Sequence, residues 1–230
     1  VRGDDINLRI TLTFEEAVFG VKKEISFSKI QKCSTCAGTG AEKGTSAKTC
    51  SHCGGSGQVR VQQRTPLGMM QTTRQCDHCH GTGKIIDNPC RTCAGKGRIR
   101  HTVEREVEIP AGIDDGQTLR VAGAGHCGIN GGPSGDLHIL VNVRPDPIFE
   151  RKGFDIWTDI PITFGQAALG SEIVVPTIDG KVKYDIPEGT QPGTVFRLKG
   201  KGVKSVRSHR KGDLYVKVNL EVPTKLNSKQ

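Results

Sequence analysis

Aromatic residues are scarce in this chain of 230 residues, which has seven Phe, two Tyr and one Trp. Apolar residues reach only 34% of the total, so a single large core is excluded and several small, loop-rich units are expected. No apolar run approaches the ~18 residues that a membrane-crossing helix needs. The first residues, Val1-Arg2-Gly3-Asp4-Asp5, have neither the apolar stretch nor the cleavage site of a secretory signal. No Gly-x-Ser-x-Gly elbow or Walker loop occurs, and Gly123-Ala-Gly125 leads into a turn-rich loop rather than a helix. Hydrolase and nucleotide chemistry therefore lack support, and no enzyme is expected.

Glycine and cysteine are abundant instead, with 30 and nine residues. Eight of the nine cysteines open four copies of one octet, C-x-x-C-x-G-x-G. These begin at Cys33/Cys36, Cys50/Cys53, Cys76/Cys79 and Cys90/Cys93. Two thiolates separated by two residues can grip one metal ion from a single tight turn. The glycine two positions on permits positive φ and turns backbone N–H groups towards the sulfurs. Eight thiolates match two tetrahedral four-cysteine sites. Disulfides are the competing reading, and the lack of a secretory signal weighs against them. Two zinc ions are expected, with iron sharing the same ligand set. Spacing leaves the pairing open, since neighbouring knuckles can pair or the four can nest. His52, His78 and His80 lie in or beside the knuckles, but four sulfurs already complete each site.

A second repeat runs through the rest of the chain. Ile10-Thr-Leu-Thr-Phe14 and Gly20 return 150 positions later as Ile160-Pro-Ile-Thr-Phe164 and Gly170. Ile109-Pro110-Ala-Gly112 returns as Ile186-Pro187-Glu-Gly189, only 77 positions on. The 77 offset also relates Arg120 to Arg197, Gly123 to Gly200 and Asp136 to Asp213. The first copy therefore carries a 73-residue insertion, which holds all eight paired cysteines.

The expected fold class is mainly β: two homologous, small β-sandwich-like domains in tandem, the first bearing an inserted cysteine-rich zinc arm of β-hairpins. Residues 1–30 with 99–145 form the first domain, 31–98 the arm and 146–225 the second domain. In each copy an alternating strand meets a short helix. Thr13 and Thr163 are N-cap candidates, and Glu16 and Gln166 would complete capping boxes. Arg144-Pro145-Asp146-Pro147 is expected to be a hinge, and Cys127 a free thiol in a mobile loop.

Four such knuckles inserted after the first capped helix, followed by two Ile-Pro-x-Gly domains, closely resemble the DnaJ family of type I J-domain co-chaperones. The likeness covers essentially the whole chain. It implies nested pairing, with Cys33, Cys36, Cys90 and Cys93 on one zinc and Cys50, Cys53, Cys76 and Cys79 on the other. The family holds unfolded clients in an apolar groove of the first domain, which falls here on Ile6, Ile25, Phe27 and Phe149. Ile25 and Phe27 also share one face of a short strand leading into the first knuckle. A further groove position, usually apolar in the family, is Arg105.

The resemblance also implies delivery of clients to a DnaK-type chaperone, with help from the second zinc site. It further implies a cytoplasmic location, or an organelle of bacterial descent. The family's J-domain with its His-Pro-Asp motif is not in this sequence, nor is most of the Gly/Phe-rich linker. Residues 226–230 fall about where a dimerising segment would start. A fragment is therefore expected, from a protein that is a homodimer at full length, with a monomer compatible for the fragment itself.

Two other classes remain in view. A nucleic-acid binder is invited by zinc and by a formal charge of +9. Yet the Lys and Arg look scattered, without aromatic stacking platforms or recognition-helix patterns. Residues 31–98 hold ten Lys+Arg and three Asp+Glu, so most of the surplus offsets metal-bound thiolates. A thiol–disulfide oxidoreductase is invited by Cys-x-x-Cys. No thioredoxin-like βαβ pattern surrounds the pairs, which leaves at most weak exchange after zinc loss.

Overall fold

The computed structural model describes residues 1–66 and 68–227. Of the dimerisation segment expected at 226–230, the last three residues lie outside the described ones. The fold is mainly β, and the helices Phe14–Phe19 and Phe164–Leu169 are six residues each. No helix among the described residues is long and apolar enough to cross a membrane. The chain forms two compact units, one of residues 1–8, 26–104 and 120–138, the other of 9–25, 105–119 and 139–230.

Two antiparallel ribbons build the cysteine-rich part of the first unit. Lys48–Thr49 pairs with Lys84–Ile85, and Gln58–Thr65 pairs with Gly68–Gln75. In the second unit a four-stranded sheet runs in the order Glu150–Lys152, Asp155–Ile162, Leu214–Leu220, Val195–Leu198. A hairpin of Ser171–Thr177 and Gly180–Ile186 accompanies it. Alternation sets the faces: Ile156 and Ile162, Ile173 and Val175, and Leu214, Val216 and Val218 all point into one core. Phe14 and Val18 of the first helix join that core, and Phe14 stacks on Phe149 with ring centroids 5.8 Å apart. A separate cluster holds Leu12, Ala17, Ile109, Ile113 and Val141.

The sequence repeat is realised bond for bond. In the first copy, Arg120 Nε donates to Asp136 Oδ2 (2.8 Å), Gly123 N to Asp136 Oδ1 (2.8 Å), and Asp136 N to Asp5 Oδ1 (2.6 Å). In the second, Arg197 Nε donates to Asp213 Oδ2 (2.6 Å), Gly200 N to Asp213 Oδ1 (2.8 Å), and Asp213 N to Asp155 Oδ1 (2.8 Å). A carboxylate fed by a backbone N–H and a guanidinium is stabilised in its charged form. The backbone N–H groups of Gly123 and Gly200 are the leading cause that holds Asp136 and Asp213 below the ordinary carboxylate range, with the arginines adding to it.

A depressed folded-state pKa gives stability that is present above the unfolded value of about 3.9 and is lost as pH falls through the folded value. Asp213→Asn is therefore expected to lower the melting temperature at pH 7 and to lower it by less at pH 3. Equal losses at both pH values, measured by circular dichroism, would contradict this linkage.

Three local expectations need correction. Thr163 has a full capping box with Gln166, but Thr13 has only half of one. Its hydroxyl accepts from Glu16 N at 3.2 Å, while the Glu16 carboxylate faces Lys23, 3.3 Å from Nζ. An available cation outcompetes the local backbone N–H. The strand that carries Ile25 and Phe27 is not short, since it spans the 12 residues Val21–Lys32. Cys127 is free but buried, and its loop is tied down: Cys127 N donates to Ile30 O (2.8 Å) and Ile30 N donates to His126 Nδ1 (2.9 Å). The segment expected to be a hinge is not among these: it continues neither helix nor strand, and Asp146 Oδ1 accepts from Ile148 N (2.8 Å) and Phe149 N (3.1 Å) in a local turn.

Candidate functional site

The knuckles come together nested. The sulfurs of Cys33, Cys36, Cys90 and Cys93 converge in one cluster, and those of Cys50, Cys53, Cys76 and Cys79 in a second. Within them Cys33 and Cys90 stand 4.0 Å apart, Cys36 and Cys93 3.7 Å, Cys50 and Cys76 3.9 Å, and Cys53 and Cys79 3.7 Å. A sulfur tetrahedron around zinc at bonds of ~2.3 Å has edges of ~3.8 Å, whereas a disulfide brings sulfurs to ~2.05 Å. The donor chemistry and spacing thus fit a four-thiolate metal. Seven of the eight thiols are buried, Ile99 packs on the first tetrad, and Val59 and Ile85 pack on the second.

The glycines explain why these knuckles choose each other. The last glycine of every octet has positive φ and donates its N–H to the second cysteine's sulfur: Gly40 to Cys36 (3.3 Å), Gly57 to Cys53 (3.3 Å), Gly83 to Cys79 (3.2 Å) and Gly97 to Cys93 (3.1 Å). A Cβ on Gly40 would lie 2.3 Å from Gly95 O, and one on Gly97 would lie 2.5 Å from Gly38 O. In the second tetrad the distances are 2.4 Å from Gly57 to Gly81 O and 2.2 Å from Gly83 to Gly55 O. Each knuckle's final glycine therefore rests on its partner's first, reciprocally. Matching main-chain bonds, Cys33 N to Gly97 O (2.9 Å) and Cys90 N to Gly40 O (2.8 Å), close the pair. The octet pattern contained this reciprocity, but only contact geometry reveals it.

The electrostatics of each tetrad favour a cation. Burial opposes ionisation of Cys36, but the N–H groups of Gly40 and Gly38 and the neighbouring thiols bring it down to about 6. Burial, then the neighbouring thiols, push Cys93 up to about 11. Cys53 at about 6 and Cys76 at about 11 repeat the split. Four sulfurs this close do not all ionise without a positive charge among them. His52 and His78 stack at 4.5 Å over the second tetrad, with His52 Nδ1 3.6 Å from Cys76 Sγ.

The residues assigned to the client groove are placed as follows. Ile25 and Phe27 alternate on one buried face of Val21–Lys32, and Ile6 is buried at the start of its strand. Arg105 is exposed in the strand Arg98–Ile109, at the same strand parity as Val103, Val107 and Ile109. Phe149 is half-buried against Phe14 in the second unit's core.

The model of the DnaJ C terminal domain matches residues 6–223. Similar proteins include the chaperone protein DnaJ of Acetivibrio thermocellus, 56% identical over the full chain and 59% of that protein. Those of Clostridium novyi and Bacillus cereus are 57% and 53% identical over the full chain, and it covers 61% and 62% of them. The chain thus spans about three fifths of the length of these relatives. The four-knuckle insertion, the two repeated β domains and the match across 6–223 agree: the chain belongs to the DnaJ C-terminal domain family.

Proposed function

We propose that this chain is the client-binding and zinc-binding part of a cytoplasmic co-chaperone that holds unfolded polypeptides and passes them to a DnaK-type partner. The observation that carries the proposal is the pair of nested cysteine tetrads. The chain would divide into a first β domain of 1–30 with 99–145, the inserted arm of 31–98 and a second β domain of 146–225. Each tetrad would hold one zinc ion, Cys33/Cys36/Cys90/Cys93 and Cys50/Cys53/Cys76/Cys79, whose cross-links fold an arm with little apolar core of its own. The second tetrad would assist client transfer, and the full-length protein would act as a homodimer.

Client binding is assigned to Ile6, Ile25, Phe27 and Arg105 of the first domain, with Phe149 at the start of the second. An extended segment would pair with a strand edge through its backbone, which any sequence can do, while shallow apolar contacts select hydrophobic side chains. The second copy is an internal control: Val175 and Thr177 stand where the first has Ile25 and Phe27, and Thr177 spends its hydroxyl on Gly180 O. Loss of the aromatic there favours a client site in the first copy. Each buried anchor contributes about 1.5–3 kcal/mol. Two or three anchors, less the ordering cost, place affinity near micromolar. Weak binding with fast exchange suits delivery.

Phe27→Ala is expected to impair suppression of turbidity when a denatured protein is diluted into buffer with this chain, while bound metal is retained. Undiminished suppression by the variant would overturn the client assignment.

A further inference from the structure

The two repeats share one loop scaffold but differ sharply in charge. In the first copy, Gly125 N donates to Gly135 O (2.9 Å), His126 N to Asp4 O (2.9 Å) and Gly135 N to His126 O (3.0 Å). The second copy reproduces all three: Gly202 N to Gly212 O (2.8 Å), Val203 N to Phe154 O (2.8 Å) and Gly212 N to Val203 O (3.0 Å). The Arg–Asp pair that anchors each loop is likewise shared. Beyond it, the second loop carries Lys199, Lys201, Lys204, Arg207, Arg210 and Lys211, with no acidic residue from 196 to 212. The first copy has Ala122, Ala124, Cys127, Asn130, Pro133 and Ser134 at those positions. The scaffold therefore folds without these six cations, so they are not there to hold the loop.

They are also largely unspent. Lys211 pairs with Asp179 at 3.3 Å, but among the described residues Lys201, Lys204, Arg207 and Arg210 have no carboxylate within ion-pair distance. The loop is held in place by Ser205 N to Arg210 O (2.9 Å) and by Val203, which is fully buried. Beside it lies a cavity of about 470 Å³, whose wall includes Arg151, Phe154, Val206 and Arg207. Phe154 and Val206 are exposed apolar side chains there.

We propose that the loop Lys199–Lys211 and this cavity form a docking surface for an acidic, extended segment of another polypeptide, one carrying several Asp or Glu with an apolar residue among them. Unpaired cations on a fixed loop supply charge complementarity without having to break existing ion pairs. Phe154 and Val206 receive the apolar residue. A polypeptide fits better than a nucleic acid, because the exposed apolar side chains of Phe154 and Val206 beside the cations suit an apolar side chain, which a phosphate backbone does not offer. This surface is independent of the apolar client face, which an uncharged apolar peptide reads separately in the same assay.

The test is fluorescence anisotropy with a labelled Asp/Glu-rich peptide containing one Leu, for the unaltered chain and for K204Q/R207Q/R210Q. The control R9Q/K22Q/K181Q removes equal charge from exposed positions elsewhere. The expected result is salt-sensitive binding that weakens about tenfold or more in the loop variant and changes little in the control, with melting temperature unaltered. Equal weakening in both variants would reduce the effect to net charge and overturn the proposal. Tighter binding of a single-stranded oligonucleotide of equal charge would overturn it in favour of nucleic acid. Sedimentation showing self-association that the loop substitutions abolish would overturn it in favour of a second copy of this chain.

Discussion

Cys50→Ser is expected to take the metal content from about two zinc ions per chain to about one, and to open the segment between residues 50 and 83 to protease. Three thiolates and a hydroxyl no longer match the tetrahedral four-sulfur site, and structural zinc contributes about 10–16 kcal/mol of apparent binding free energy in small modules. The second tetrad has little else to hold it. Among the described residues its apolar neighbours are Val59 and Ile85, both partly buried, and the strand Gly68–Gln75 is exposed along its length. Cys90→Ser should also remove one ion, but there cleavage should reach further, across 33–97, because the first tetrad closes both ends of the arm. Elemental analysis with limited trypsin digestion distinguishes the two. A Cys50→Ser chain that keeps two tightly bound ions would refute independent four-thiolate sites. Acid should strip metal from either site, since protons compete for the thiolates.

Gly135→Ala and Gly212→Ala should be among the most damaging single-methyl substitutions outside the arm. An added Cβ would lie 2.3 Å from Asp4 O at Gly135 and 2.0 Å from Phe154 O at Gly212. Both obstacles are backbone, so no side-chain rotation relieves them. The backbone must separate, which breaks the loop bonds common to both copies. A loss of about 3 kcal/mol or more is expected at each position. Gly165→Ala is the control: nothing lies within 4 Å of its added Cβ, and Ala favours the helix Phe164–Leu169 by up to about 1 kcal/mol. Urea midpoints for the three variants check the ordering. Wild-type stability in either loop variant would mean that the two strands do not approach as described.

Much of this was legible in the sequence because repeats are arithmetic. The 77 and 150 offsets located two similar domains, and the hydrogen bonds of Asp136 and Asp213 obey the same offsets. The octets announced metal ligation through residue type alone. Spacing could not reveal which knuckles meet, since that is decided by glycine-to-carbonyl contacts between residues such as Gly40 and Gly95, far apart in the chain. Burial of Cys127 escaped notice because its partner, Ile30, lies nearly a hundred residues away. Glu16 misled because a capping box competes with any nearby lysine. The basic loop was hidden by whole-chain accounting. With most of the surplus charge assigned to the arm, the remaining cations looked scattered, although seven Lys and Arg fall between Arg197 and Lys211.

Unfolded polypeptide is proposed to bind the face of the first β domain that carries Ile25 and Phe27. Titration of a labelled, uncharged apolar peptide into the zinc-loaded chain tests it most directly. The expected result is a dissociation constant near micromolar that weakens about tenfold or more in I25S/F27S, with two zinc ions still bound. Equal affinity in the metal-loaded variant would contradict it.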